Sequence, residues 1–363
     1  MSERYRGLRF ERKAPKWLPP VIFIGVVISL LGILLYINHT YDEYLKLDYA
    51  DKLVIDEFER LLRNEINNKE IEDLDLKNKT VVFISEDNFR VFVMNSKKMK
   101  NSLFNQKVKL SDKYSFDCYK VSILNPEVIK LLLSGDTPKV GKTYKLNGEE
   151  VYYYRYNRDN NIDAKYTSDH ISVELVFNMY NYYKQKDWQP VLEISSSMVT
   201  KEIYEAYTDV FAHLSEMQYE LGKETPDKQK LGEYAYQYVR AIDKMKEIDP
   251  EYTNKVLYRE TYMGVPRYYS INAAKVTNYN FGIMYYEKEQ NVSFSNVITT
   301  INAGGVSKSF LYERGSYEIG ALLTETLDYL GVDYMNVISQ NSKDNKVTLY
   351  DILVDYLDVP EDL

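Results

Sequence analysis

The chain has 363 residues, and 46 Lys+Arg against 54 Asp+Glu give a formal net charge of −8, which argues against nucleic acid as a partner of the whole chain. Its one cysteine, Cys118, excludes an internal disulfide, and its three histidines, His39, His170 and His213, exclude a zinc ribbon or finger. Tyrosine, at 36 residues against 13 Phe and 2 Trp, supplies most of the aromatic surface in a form with a polar tip.

Leu18 to Ile37 is an uncharged apolar run, long enough to cross a ~30 Å hydrocarbon layer as a helix. No small residues follow it at Tyr36-Ile37-Asn38-His39, so a cleaved leader is disfavoured. Arg4, Arg6, Arg9, Arg12, Lys13 and Lys16 outnumber Glu3 and Glu11 before the run, whereas Asp42, Glu43, Asp48 and Asp51 outnumber Lys46 and Lys52 after it. The charge bias therefore predicts a cytoplasmic tail over 1–17, a single membrane pass over 18–37 in contact with the lipid bilayer, and an extracytoplasmic remainder at the cell membrane.

The region 38–77 follows, and its Val54, Phe58, Leu61, Leu62 and Ile66 recur at helical spacing, which predicts an amphipathic helix next to the membrane, acting as a stalk or packed on the domain. From about 78 the period changes. Thr80 to Ile84 and Arg90 to Met94 are β-rich, and Lys142 to Leu146, Asn147-Gly148 and Glu149 to Tyr156 spell a second hairpin, which together predict a small antiparallel β subdomain over 78–158. Helices are predicted over about 168–187, 198–222, 227–247, 251–277, 315–331 and 347–357, with Pro250 suited to a first turn. The fold class is thus α+β: one transmembrane helix, the β subdomain, and a mainly helical domain over 159–363.

Two motifs fail on inspection. Gly135 to Thr143 resembles a phosphate loop, but the glycine spacing is wrong and a strand follows where a helix is required. Ser195-Ser196-Ser197 lacks a nucleophile-elbow context, and His170 or His213 would have to join it without sequence support. Asn78-Lys79-Thr80 and Asn291-Val292-Ser293 fit the glycosylation pattern, a frequent chance match.

Ser172 to Trp188, SVELVFNMYNYYKQKDW, resembles the motif helix of a zincin-like (gluzincin-type) metallopeptidase family, in which HExFH is followed by an aromatic, Gln and Trp stretch. Met263-Gly264-Val265-Pro266-Arg267-Tyr268 is similar to the family's EGxAxY helix, and Gly315 to Gly331 is similar to its closing helix. The resemblance covers roughly 78–357. It implies former zinc-ligand positions at Glu174, Asn178 and Met263 and a former catalytic-glutamate position at Leu175, with candidate cleft residues Glu260, Arg267, Tyr180 and Tyr268. With imidazoles and general base replaced, it implies no zinc, no other cofactor and no catalytic residue; the alternative set Glu174, Asn178 and Glu260 would suit only a hard cation such as calcium. Without the resemblance, Val173, Phe177 and Tyr180 are simply the apolar side of a core helix.

The expected function is a noncatalytic domain at a bacterial cell envelope that binds a peptide, glycan or protein partner in the former cleft. The tyrosine clusters 152–154, 182–183 and 268–269 are candidates to line that groove. The alternative is a hydrolase of peptides or cell-wall material that uses two facing carboxylates or a noncanonical metal site, and a third reading is an envelope scaffold assembled through the helix at 41–68.

Overall fold

A computed structural model describes residues 17–40, 43–285 and 292–358. The basic tail up to Lys16 and the Asn291 glycosylation match lie outside them. The first helix, α1, runs over Leu18–Thr40, and its described apolar side chains are exposed, Phe23 at 69%. Among the described residues, however, no helix is long and apolar enough to cross a membrane. The transmembrane, single-pass reading of 18–37 is therefore corrected.

The amphipathic helix forms as α2, Tyr49–Asn64. It packs on the domain: Val54, Ile55, Phe58, Leu61 and Leu62 are buried in the main core. A short α3, Lys69–Asp73, then leads to a sheet built from β1 Thr80–Ser85, β2 Val91–Met94, β3 Asn105–Lys107, β4 Cys118–Val121, β5 Lys145–Leu146 and β6 Glu149–Tyr156. Asn147 and Gly148 hold φ of 51° and 70° between β5 and β6, as a tight hairpin requires. The strand order is β3-β4-β2-β1-β6-β5, and β1 pairs with β6 in parallel. The sheet is mixed, which corrects the antiparallel expectation; the parallel pair arises because the chain leaves through β2–β4 and α4, Pro126–Leu132, before returning beside β1.

Both sheet faces are covered. Phe83, Phe92, Tyr152, Tyr154 and Tyr156 face the helical core, while Val82, Ile84, Val93 and Tyr153 face a smaller core closed by Val128 and Leu131 of α4. This alternation buries the tyrosines that the sequence offers as groove lining, and Tyr180, Tyr182, Tyr268 and Tyr269 are buried as well.

The helical layer comprises α5 Ile171–Lys184, α6 Lys201–Leu221, α7 Lys228–Ile248, α8 Pro250–Thr277, α9 Asn296–Asn302, α10 Arg314–Leu330, α11 Tyr334–Ile338 and α12 Leu349–Leu357. Asp249 caps α8 by accepting from the Tyr252 N–H, and Pro250 occupies the first turn, where its missing donor costs nothing. α8 is central and runs between α5 and α10. A Cβ on Gly264 would overlap the Gly320 backbone, and one on Gly320 would overlap the Glu260 carbonyl, so the two helices cross where both lack side chains.

Pro266 lies inside α8 and removes the N–H that would reach the Tyr262 carbonyl. Gln185, buried just past α5, donates its Nε2 to that carbonyl at 2.7 Å. The conflict between a mid-helix proline and backbone satisfaction is thus resolved by a side chain from the neighbouring helix.

Candidate functional site

The start of α5 is fixed by His170, whose Nδ1 accepts from the Ser172 N–H and lies 2.8 Å from Ser172 Oγ. Its ring stacks on Tyr279 with centroids 3.8 Å apart. Burial pulls its pKa down to about 4, so the ring is neutral and free to accept as an N-cap. His213 pairs with Glu216 on the surface of α6, and Ser195 caps a short turn. These histidines and serines are structural.

α5, α8 and α10 enclose a cavity of about 480 Å³. The wall from α5 carries Glu174, Phe177 and Asn178, preceded by Ser168 and Asp169; α8 supplies Arg259, Arg267 and Ser270; α10 and the residue before it supply Glu313, Arg314, Tyr317 and Glu318. Phe177 and Tyr317 stack, with centroids 5.8 Å apart and planes 20° from parallel, and form an aromatic wall between α5 and α10.

Glu174 is held from below by the sheet. Tyr154 Oη donates to Glu174 Oε2 at 2.6 Å, and Asn161, from a turn that follows β6, donates to the same oxygen at 2.9 Å and to Tyr154 Oη at 2.8 Å. Asn178 Nδ2 reaches Glu174 Oε1 at 3.5 Å. Burial raises the Glu174 pKa, the Tyr154 hydrogen bond opposes that, and the charge of Asp169 adds to it.

The opposite wall is an ion cluster. Arg267 donates to Glu318 Oε1 at 2.9 Å with both side chains buried, and its guanidinium lies 4.0 Å over the Phe281 ring. Arg314 Nε approaches the same oxygen at 3.8 Å, and Glu318 Oε2 accepts the Met284 N–H at 2.6 Å. Each Glu318 oxygen accepts a hydrogen bond, and the opposite charges of this cluster compensate one another.

Of the residues singled out in the sequence, Glu174, Asn178 and Arg267 line this cavity together. Leu175 and Tyr180 are in the core, the latter with its ring 4.5 Å from Tyr269. Tyr268 is buried and donates to Asp328 at 3.0 Å. Met263 is half-buried outside the lining. Glu260 points elsewhere: it is buried against α7, where Tyr238 Oη donates to it at 3.4 Å, and burial raises its pKa to about 8. Glu174, Asn178 and Glu260 are therefore not gathered as a cation site, and among the described residues no group of three or more His, Cys, Asp or Glu is placed to hold a metal.

The sequence reading misses Asn161, Asp169, Arg259, Arg314, Tyr317 and Glu318, and offers Tyr154 as groove lining where its hydroxyl instead supports Glu174. Period-two alternation along β6 places Tyr154 on the helix side, and the helical spacing of Arg259, Arg267 and Ser270 puts Arg259 on the face of α8 that Arg267 occupies. The acids and arginines of the α10 start carry no local signal.

No histidine lines the cavity. Ser168 donates to Asp169 at 2.9 Å and Ser270 to the Pro266 carbonyl at 3.0 Å, so each serine is committed to a structural acceptor. The lining presents a flat aromatic wall, amide and carboxyl groups on one side and guanidinium groups on the other. No family model matches the chain, and no curated protein and no solved structure matches it.

Proposed function

We propose that the chain is a noncatalytic binding domain that takes a short peptide segment in the cavity between α5, α8 and α10. The observation that carries this is the pairing of the Phe177–Tyr317 wall with hydrogen-bonding groups on both flanks, Glu174 and Asn178 on one and the arginines on the other. A peptide presents the complementary set of flat amides, side chains and end charges.

A second reading, a hydrolase, has one observation of its own. Asp169 and Glu174 both line the cavity, and the charge of Asp169 adds to the burial that raises the Glu174 pKa; two carboxyl groups in one cavity are an arrangement that acid-assisted hydrolysis uses.

One experiment addresses both. The full chain, kept monodisperse in mild detergent because α1 is apolar and exposed, is dialysed against a pool of tetrapeptides, and retained peptides are read by mass spectrometry. Peptides retained and recovered intact, with retention lost in Phe177→Ala/Tyr317→Ala, support the binding reading. Accumulation of cleavage products that Glu174→Gln abolishes would replace it with the hydrolase.

A further inference from the structure

One guanidinium in the cavity has no partner among the described residues. Arg259 forms no ion pair or hydrogen bond among the described residues, and its Nε is buried without an acceptor. Arg267 and Arg314, on the same lining, both reach Glu318. A half-buried guanidinium that forgoes every neighbouring carboxylate retains a full charge and a fork of donors suited to a planar, bidentate anion. A guanidinium that lines a cavity with none of its donors engaged is placed to take an acceptor supplied from outside.

The cavity also has polarity. α5 runs antiparallel to α8: the His170 ring stacks on Tyr279, the Tyr180 ring meets Tyr269, and Gln185 reaches the Tyr262 carbonyl. The start of α5, with Asp169 and Glu174, therefore sits beside the later turns of α8, toward and beyond Ser270. Arg259 lies at the opposite end. From Arg259 to Ser270, both in the lining, the helix rises roughly 16 Å, the length of about four or five extended residues.

From these two observations we infer that Arg259 docks a free carboxylate, so that the cavity takes a zwitterionic short peptide with its carboxyl end at Arg259 and its amino end toward Asp169 and Glu174. This rests on the binding reading of the same cavity. The Phe177–Tyr317 wall lies between the two ends and packs the side chains of the middle residues. The inference separates this ligand from a segment inside a longer chain, which would bring no carboxylate to Arg259 and would leave its charge desolvated and unmatched.

The test uses two tetrapeptide pools of identical sequence, one with free carboxyl ends and one amidated, against the full chain in mild detergent. The free-acid pool should bind at least tenfold more tightly than the amidated one. Arg259→Gln should erase that preference while circular dichroism and the unfolding midpoint stay at the wild-type values, and Arg259→Lys should restore part of it. Because the comparison of the two pools is made on the wild-type chain, it stands even if a variant misfolds. Equal binding of both pools would leave the peptide-binding reading intact and overturn the role of Arg259. Binding of neither pool would overturn both.

Discussion

The two sides of α8 have opposite characters. Toward α10, at Gly264, the helix is pressed so closely that a single methyl group has nowhere to go, and beside that crossing Glu260 is sealed against α7 with one tyrosine hydroxyl. At Arg259, Arg267 and Ser270 the helix instead lines the cavity it shares with α5 and α10, among charged and polar groups. Two carboxylates mark the contrast: Glu174 has three side-chain donors and faces the cavity, whereas Glu260 has one and faces the interior. The difference teaches that a shared helical turn in the sequence does not make a shared site. Substitutions at the packed crossing should cost stability, and those of Arg259 and Glu174 in the cavity should cost chiefly binding.

The largest effect is expected at the crossing. Gly320→Ala should destabilise the chain by about 3 kcal/mol in urea unfolding, because backbone atoms of α8 must move to admit the methyl group and this outweighs the better helix propensity of Ala. A change under about 0.5 kcal/mol would show that the two helices separate freely and would erase the contrast.

Next comes the proline repair. Gln185→Ala leaves the Tyr262 carbonyl unsatisfied and should cost about 1–3 kcal/mol. In a Pro266→Ala background, where the helix regains its own donor, the same substitution should cost measurably less. Additive losses in that double-mutant cycle would sever the link between Gln185 and Pro266.

A pH dependence distinguishes the two carboxylates. The Glu260 carboxyl is held near pKa 8 by burial, from an ordinary value of 4.5. The folded chain therefore holds this proton where the unfolded chain has lost it; the contribution is fully present below about pH 4.5 and is lost as pH rises toward 8. Wild-type stability relative to Glu260→Gln should fall between pH 6 and pH 8 by ~2 kcal/mol, as measured by unfolding at each pH. Parallel curves for the two proteins would mean that Glu260 is solvated after all. The smallest effect belongs to Glu174→Gln: its amide oxygen can still accept from Tyr154 and Asn161, so stability should change by less than about 1 kcal/mol.

Much of the secondary structure was legible. The 3.6-residue period marks α2, α5 to α8, α10 and α12, and Asn147-Gly148 marks the hairpin turn. β3 and β4 were missed because they are short and carry Asn105 and Lys120 among their residues, with no alternation long enough to read. The parallel partnership of β1 with β6 depends on a return over many residues, which no local pattern encodes. For the site, Glu174, Asn178 and Arg267 were reachable because each lies in a helical motif. Arg259 and Glu318 were not, since their roles depend on which neighbours they have in space. The tyrosines misled for a physical reason: a tyrosine that donates its hydroxyl to a buried acceptor, as Tyr154 and Tyr156 do to Glu174 and Asp51, is as much a core residue as a phenylalanine.

The most direct measurement is amide hydrogen exchange on the full chain with and without a saturating free-acid tetrapeptide pool. A binding cavity on the α5 side of α8 predicts added protection in the first half of α5, over 259–270 of α8 and at the start of α10, with the Gly264–Gly320 crossing already protected and unchanged. Protection confined to other elements, or none at all, would contradict it.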